Sequence, residues 1–147
     1  MAIRVALNGF GRIGRNVLRS AHNDAEIDIV HINDLADDAL LAHLLKHDTV
    51  HRAFHADIQS VDGGIQIDGK TIPTSAIREP RDLPWAELDV DVVMECTGRF
   101  RTREEASRHL EAGAQRVIIS APANDPDATI CMGVNTEARR QEHRLIS

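Results

Sequence analysis

The sequence predicts an α/β chain: a doubly wound, mostly parallel sheet with a short antiparallel hairpin insertion. Three observations carry that expectation. Apolar runs alternate with stretches of helical periodicity along the chain, the pattern of strands joined by crossover helices. The first run, Ala2 to Asn8, is close to continuous rather than alternating, as in a strand covered on both faces. It leads directly into Gly9-Phe10-Gly11-Arg12-Ile13-Gly14 and then into a helix.

That turn has dinucleotide-binding spacing. A strand precedes it, a helix follows, and a second apolar run, Ile27 to Asn33, ends in an acid, Asp34, twenty residues past Gly14. Gly9 allows the tight turn off the strand. Gly11 lacks a Cβ, so backbone N–H groups can approach a pyrophosphate, and Gly14 lets the helix pack closely. The free amides and dipole of the helix start favour phosphate charge. Asp34 is placed to accept hydrogen bonds from an adenosine ribose. No Gly-Lys-Ser/Thr closes the turn, which rules against a P-loop. A methyltransferase-type glycine loop or a flavin site also fits this stretch taken alone.

The first helix spans Gly11 to about Ala21, with Ile13, Val17, Leu18 and Ala21 at helical spacing. Arg15 and Arg19 read as a solvated or ion-paired face, whereas Arg12 lies in the turn itself and is the better functional candidate. After Asp34 and Leu35, Asp37 and Asp38 suit the first turn of a helix running through Lys46. No Arg or Lys lies near Asp34 in sequence, so a ribose 2′-phosphate would meet uncompensated acids. Each like-charge pair at 4 Å costs ~4 kcal/mol at an effective dielectric of 20. The sequence therefore favours NAD over NADP. His43, His47, His51 and His55 recur every four residues. Asp48-Thr49-Val50 continues a helix poorly, and no Glu or Cys completes a zinc set, so these are read as exposed or packing histidines, and no metal is expected.

From Phe54 to Pro73 the pattern becomes alternation with glycine turns, the mark of short antiparallel hairpins inserted in the sheet or lying at its edge. A proline-punctuated connection runs from Arg78-Glu79-Pro80 to Pro84-Trp85. Val90 to Glu95 is a strand. Thr97 and Gly98 follow its C-terminal end, where open parallel sheets bind ligands. Arg101 to Ala112 is a helix with Thr102 as N-cap, closed by Gly113. Arg116 to Ser120 is the next strand, with Ser120-Ala121-Pro122 at its end. Thr129 to Met132, a short helix near Thr136 to Gln141, and Arg144 to Ile146 follow.

Composition narrows the function. With 147 residues the chain suits one domain with a real core. Aromatics are 3%, with no Tyr, and the formal charge is −6; neither suits a nucleic-acid surface, which needs stacking faces and cations. No run of eighteen apolar residues is present, so no membrane span is expected. The N-terminus enters a strand with no signal-peptide architecture. Cys96 and Cys131 form no CxxC and are read as reduced and buried in a cytoplasmic protein.

Taken together, the motifs resemble those of the phosphorylating glyceraldehyde-3-phosphate dehydrogenase family, in its NAD-binding half. The likeness runs through Asn8-Gly9-Phe10-Gly11-Arg12-Ile13-Gly14-Arg15, Ile32-Asn33-Asp34, Asp48-Thr49-Val50-His51, and Cys96-Thr97-Gly98 with Phe100. It continues through Gly113-Ala114, Arg116 to Pro122 and Met132-Gly133-Val134-Asn135. Erythrose-4-phosphate dehydrogenase is similar too, above all at Ala42 to Lys46 and Leu83-Pro84-Trp85; Ser120-Ala121-Pro122 leans toward the glyceraldehyde enzyme.

The resemblance implies a Rossmann-type domain over 1–147 in which Asn8 and the backbone of Arg12 and Ile13 hold the first part of NAD. Asp34 would bind the ribose, Arg78 lie along the adenine, and Thr97, Gly98 and Phe100 line the adenine cleft. Ser120 and Ala121 would sit nearer the nicotinamide. Ile77 stands where the family commonly has Glu, and Arg52 where it usually has Gly. The family oxidises an aldehyde through a thiohemiacetal, passes hydride to NAD and releases the acyl group to phosphate, acting in glycolysis as a homotetramer. Its nucleophilic cysteine follows shortly after the position of Ser147. These residues are therefore expected to be a truncated cofactor half with no catalytic residue, inactive alone. Such a half is expected to self-associate through surface that the family's C-terminal helix covers. A stand-alone NAD-binding module without chemistry is the alternative.

Overall fold

The computed structural model describes residues Met1–Ser147. Its eight strands are β1 (Ile3–Asn8), β2 (Ile27–Asn33), β3 (Ile58–Val61), β4 (Gly64–Ile67), β5 (Lys70–Ser75), β6 (Val92–Glu95), β7 (Arg116–Ile119) and β8 (Leu145–Ile146). Three helices, α1 (Arg12–Ala21), α2 (Asp38–Lys46) and α3 (Arg103–Glu111), connect them. The strands form one sheet in the order β3-β4-β5-β2-β1-β6-β7-β8. All pairs from β5 to β8 across the sheet are parallel, while β3, β4 and β5 pair antiparallel. The alternating segment is thus the edge of the sheet, and β5 belongs to both parts: antiparallel to β4, parallel to β2.

Alternation along β1 explains the layering. Val5 and Leu7 point into a cluster with Leu18 of α1, Leu41 and Leu45 of α2, and Ile65 and Ile67 of β4. Ala6 points to the opposite face, into a cluster with Trp85, Val90 and Val93. Ala106 of α3 packs on Val117, Ile119 and Leu145. Both faces of the central strands are covered, which is why β1 reads as a continuous apolar run.

The connections bring the chain from β1 outward to β2 on one side, then back across to β6 on the other. That reversal leaves a crevice at the C-terminal ends of β1 and β6, where such sheets bind ligands.

Several expectations are corrected. Only a single 3-10 turn, Thr136–Ala138, forms where a short helix was expected. Thr129 to Cys131 is irregular backbone, although Ile130 N–H donates to Ser147 O. Cys131 is exposed rather than buried, because its segment lies outside the layers. Another expectation holds: α2 stops at Lys46 with His47 as its C-cap, as the poor helix continuation at Asp48-Thr49-Val50 implied, so His51 and His55 lie in irregular chain. Arg52 takes a left-handed φ of 65°, the conformation that glycine adopts without strain.

Candidate dinucleotide cleft

A cleft of about 440 Å³ opens at the crevice between β1 and β6. From the sequence-predicted set it is lined by Asn8, Gly9, Gly11, Asp34, Leu35, Arg78, Thr97 and Phe100. Asn33, Ile77, Cys96 and Arg99 also line it. Four successive strand ends contribute, those of β1, β2, β5 and β6. Phe10, Arg12, Ile13, Gly14, Gly98, Ser120 and Ala121 do not line it. Phe10 is buried in the core, and Gly98 makes a turn at φ 72°. Arg12 and Ile13 lie exposed in the first turn of α1. Ser120 follows the end of β7, where its N–H donates to Glu95 O at 3.0 Å.

The glycines differ in what they do. A Cβ on Gly9 would lie 2.8 Å from Thr97 N and 2.9 Å from Thr97 Cγ2, so the turn after β1 touches the loop after β6. A Cβ on Gly14 would lie 2.2 Å from Gly9 O; glycine there lets α1 start against the end of β1. Gly11 is otherwise. Its φ of −72° and ψ of −157° suit any residue, and a Cβ there would meet nothing within 4 Å. Neither backbone strain nor a neighbouring atom calls for glycine at position 11 of the cleft wall.

The start of α1 is also left open. Asp37 caps α2 and Thr102 caps α3 in a full capping box with Glu105. Gly11 supplies no side-chain cap, and α1 has no acid in its first turn. The first amides of a helix have no partners within it, so those of α1 remain free for a ligand beside the cleft.

Asp34 is oriented before any ligand arrives. Its Oδ2 accepts from Phe10 N–H at 2.7 Å and its Oδ1 from Ala36 N–H at 3.0 Å. A carboxylate oxygen has two acceptor positions, so each retains one for a ribose hydroxyl. Asp34 N–H itself donates to Ser75 O. The loop bearing Arg78 is anchored through Ile77: its N–H donates to Asn33 Oδ1 and its carbonyl accepts from Asn33 Nδ2, both at 2.9 Å. Main-chain atoms make both bonds, so an isoleucine at 77 holds the loop as any residue would.

Below the cleft lies a buried polar network that sequence reading did not find. Asn33 Nδ2 donates to Asn8 Oδ1 at 2.7 Å, and Asn8 Nδ2 donates to Glu95 Oε2 at 2.6 Å. Trp85 Nε1 donates to His109 Nδ1 at 3.0 Å. Since the indole can only donate, Nδ1 is the acceptor and Nε2 carries the hydrogen shared with Glu95 Oε2 at 2.9 Å. Two asparagines at strand ends, followed by a glycine and an acid, were the available sequence signal; Glu95 and His109 gave none.

The cysteines have unlike surroundings. Burial pushes the Cys96 thiol up to about 11, and the Glu95 charge adds to that, against a hydrogen bond with Ser120. A thiol of that kind is a poor nucleophile at neutral pH.

Residues 3–103 match the family model described as glyceraldehyde 3-phosphate dehydrogenase, NAD binding domain. The chain belongs to the glyceraldehyde-3-phosphate dehydrogenase family. Its relatives include the glyceraldehyde-3-phosphate dehydrogenase of Pseudomonas aeruginosa, 49% identical over 150 residues, covering 100% of this chain and 45% of that protein. That of Geobacillus stearothermophilus is 52% identical, covering 100% of this chain and 44% of the relative. Glyceraldehyde-3-phosphate dehydrogenase 1 of Bacillus subtilis is 54% identical, covering 93% and 41%. The chain spans a little under half the length of these relatives. Within the family it is the NAD-binding, Rossmann-type domain, consistent with the sheet order and the cleft at its switch point. No helix is long and apolar enough to cross a membrane.

Proposed function

We propose that this chain binds NAD in the cleft between β1 and β6, as the cofactor-binding part of a phosphorylating glyceraldehyde-3-phosphate dehydrogenase. The observation that carries the reading is Gly11. Gly11 is the N-cap of α1, where Ser, Asp or Asn would cap the helix better, and neither strain nor crowding within the protein requires glycine there. Close approach of a ligand to the backbone does. The uncapped start of α1 offers amides for the pyrophosphate, Asp34 offers two acceptor positions for the ribose, and Arg78, Phe100 and Thr97 form walls for the adenine. Ser120 and Ala121 lie toward the nicotinamide end, beyond the main cleft.

When bound, NAD supplies a hydride acceptor. The residues present here hold and orient it. We infer that aldehyde oxidation draws its nucleophile and base from residues outside these 147. Cys96 is buried with a raised pKa, and Cys131 is exposed; neither is hydrogen-bonded to a histidine that could activate it. Alone, the chain is therefore proposed to be inactive. Glyceraldehyde 3-phosphate is the preferred substrate of the whole protein over erythrose 4-phosphate, because the relatives above carry the glyceraldehyde name.

The test is Gly11→Ala. Thermal unfolding should show only the loss of about 1 kcal/mol that alanine brings at an N-cap, while calorimetric NAD affinity of the folded variant falls by about tenfold or more, equivalent to ~1.4 kcal/mol. Unchanged NAD affinity in a folded variant would refute the placement of the cofactor. NADH formation with glyceraldehyde 3-phosphate, NAD and phosphate should stay at background; turnover by the 147-residue chain would refute the assignment of chemistry to residues outside it.

A further inference from the structure

The cleft and the polar network beneath it meet at one side chain that does not line the cleft. Glu95 ends β6 and is 1% exposed. Four donors converge on it. Asn8 Nδ2 and His109 Nε2 reach Oε2, at 2.6 and 2.9 Å, while Thr97 N–H reaches Oε1 at 2.9 Å and the Thr97 hydroxyl reaches the same oxygen. A carboxylate offers about four acceptor positions, so all are taken and none is left for a ligand.

The donors come from three residues, of which Asn8 and Thr97 line the cleft on opposite walls and His109 lies in the core beneath it. Asn8 is the residue before Gly9, and its carbonyl accepts from Cys96 N–H at 2.8 Å, which ties the glycine turn to the loop after β6. Thr97 is the residue against which Gly9 packs. Its hydroxyl, having donated to Glu95, accepts from Arg99 N–H at 3.1 Å, so the orientation of Thr97 passes on to Arg99 and Phe100, both cleft-lining. His109 connects Glu95 to Trp85 in the core, and its ring meets Phe100 edge-on at 6.2 Å. The carboxylate thus joins the wall that bears the glycines to the wall that bears Thr97, Arg99 and Phe100, and fastens both to α3.

We propose that Glu95 is a positioning residue for NAD: it sets the width and orientation of the cleft through Asn8 and Thr97 without touching the cofactor. The inference rests on the NAD-binding reading above. Glu95→Gln tests it directly. A glutamine replaces one acceptor oxygen with an NH₂: in one amide orientation it faces the Asn8 and His109 donors, and in the other it faces the Thr97 N–H while the Thr97 hydroxyl must turn to accept. NAD affinity of the folded variant should fall by about tenfold, the scale expected for loss of charge-assisted bonds. The ligand-free amide resonances of Thr97 and Arg99 should shift with it.

Thr97→Val provides a second route should the buried substitution impair folding. It keeps the shape against Gly9 and removes the hydroxyl between Glu95 and Arg99. NAD affinity should again fall by about tenfold. The double variant should bind no worse than the weaker single one, because both break one relay. A folded Glu95→Gln protein, or a folded Thr97→Val protein, that binds NAD like the parent overturns the proposal, as do independent, additive penalties. A merely structural role would lower stability while leaving the affinity of folded protein unchanged. If the parent chain itself fails to bind NAD, the cofactor reading falls and takes the proposal with it; parent binding with unaffected variants removes only the positioning role.

Discussion

Asp127 clamps the last strand to the body of the domain, and replacing it with Asn should be felt chiefly as a pH-dependent loss of stability. Its Oδ2 accepts from the Arg144 and Leu145 amides at 2.7 and 2.9 Å, and its Oδ1 accepts from Arg103 Nη2 at 2.7 Å. Arg103 opens α3 and Leu145 opens β8, so one carboxylate joins a helix to the edge strand. Burial by itself would raise its pKa. The Leu145 amide, the Arg103 guanidinium and the Arg144 amide outweigh that and hold it at about 2, against an ordinary 3.8. At 1.36 kcal/mol per pKa unit the depression corresponds to roughly 2 kcal/mol of stability; the side chain is 22% exposed, so solvent screening takes only part of it. Because the folded pKa lies below the unfolded one, the stabilisation is complete above the unfolded value and is lost as pH falls through the folded value. Asp127→Asn keeps one acceptor oxygen for the two amides but sets an NH₂ against Arg103. Urea unfolding at pH 7 should show a deficit of about 1–2 kcal/mol, or a Tm lower by roughly 2–8 °C. The deficit should shrink as pH is lowered from 5 toward 3. NAD affinity should not change, since Asp127 does not line the cleft. A wild-type urea midpoint at pH 7, or a deficit of the same size at pH 3, would refute the reasoning.

Asp34→Asn should weaken NAD by about 1–3 kcal/mol through loss of charge-assisted ribose bonds, and calorimetry should show reduced discrimination against NADP, because Arg78 and Arg99 line the same cleft. Gly14→Ala places a methyl 2.2 Å from the Gly9 carbonyl; it should cost about 1–3 kcal/mol or more in thermal unfolding, a larger loss than that of Gly11→Ala. Arg52→Gly relieves a left-handed backbone at φ 65° while keeping the carbonyl that accepts from Arg19, and should raise stability by about 0.5–1 kcal/mol, read in urea. Iodoacetamide at pH 7.5 should label the exposed Cys131 well before Cys96, whose thiol is buried and pushed up to about 11; peptide mapping that finds Cys96 labelled first would contradict its described surroundings.

What the sequence determined by itself was local or of fixed period. The apolar continuity of Ile3 to Asn8, the 3.6-residue spacing of α1, the Thr102 cap and the glycine spacing all depend on neighbours within a few residues, so they could be read without a fold. Hairpin alternation in Ile58 to Ile72 was equally plain, but its place was not: whether β5 would close a separate insertion or join β2 depends on long-range pairing. Ranges suffered where context overrode pattern. The segment 130–141 has apolar residues at Ile130, Met132 and Val134, yet it lies outside the layers and forms only a 3-10 turn before the chain returns to the sheet as β8. Tertiary structure also decided the charge around Asp34. Reading along the chain finds no cation beside it, whereas folding brings the ends of β5 and β6 to one crevice and places Arg78 and Arg99 there. Glu95 was the largest loss. A single acid at the end of an apolar strand has no periodicity or motif, and its meaning appears only when Asn8, Thr97 and His109, up to 87 positions away in the chain, aim their donors at it. Hydrogen bonding among distant side chains is specified by three-dimensional position, and no one-dimensional pattern encodes that position.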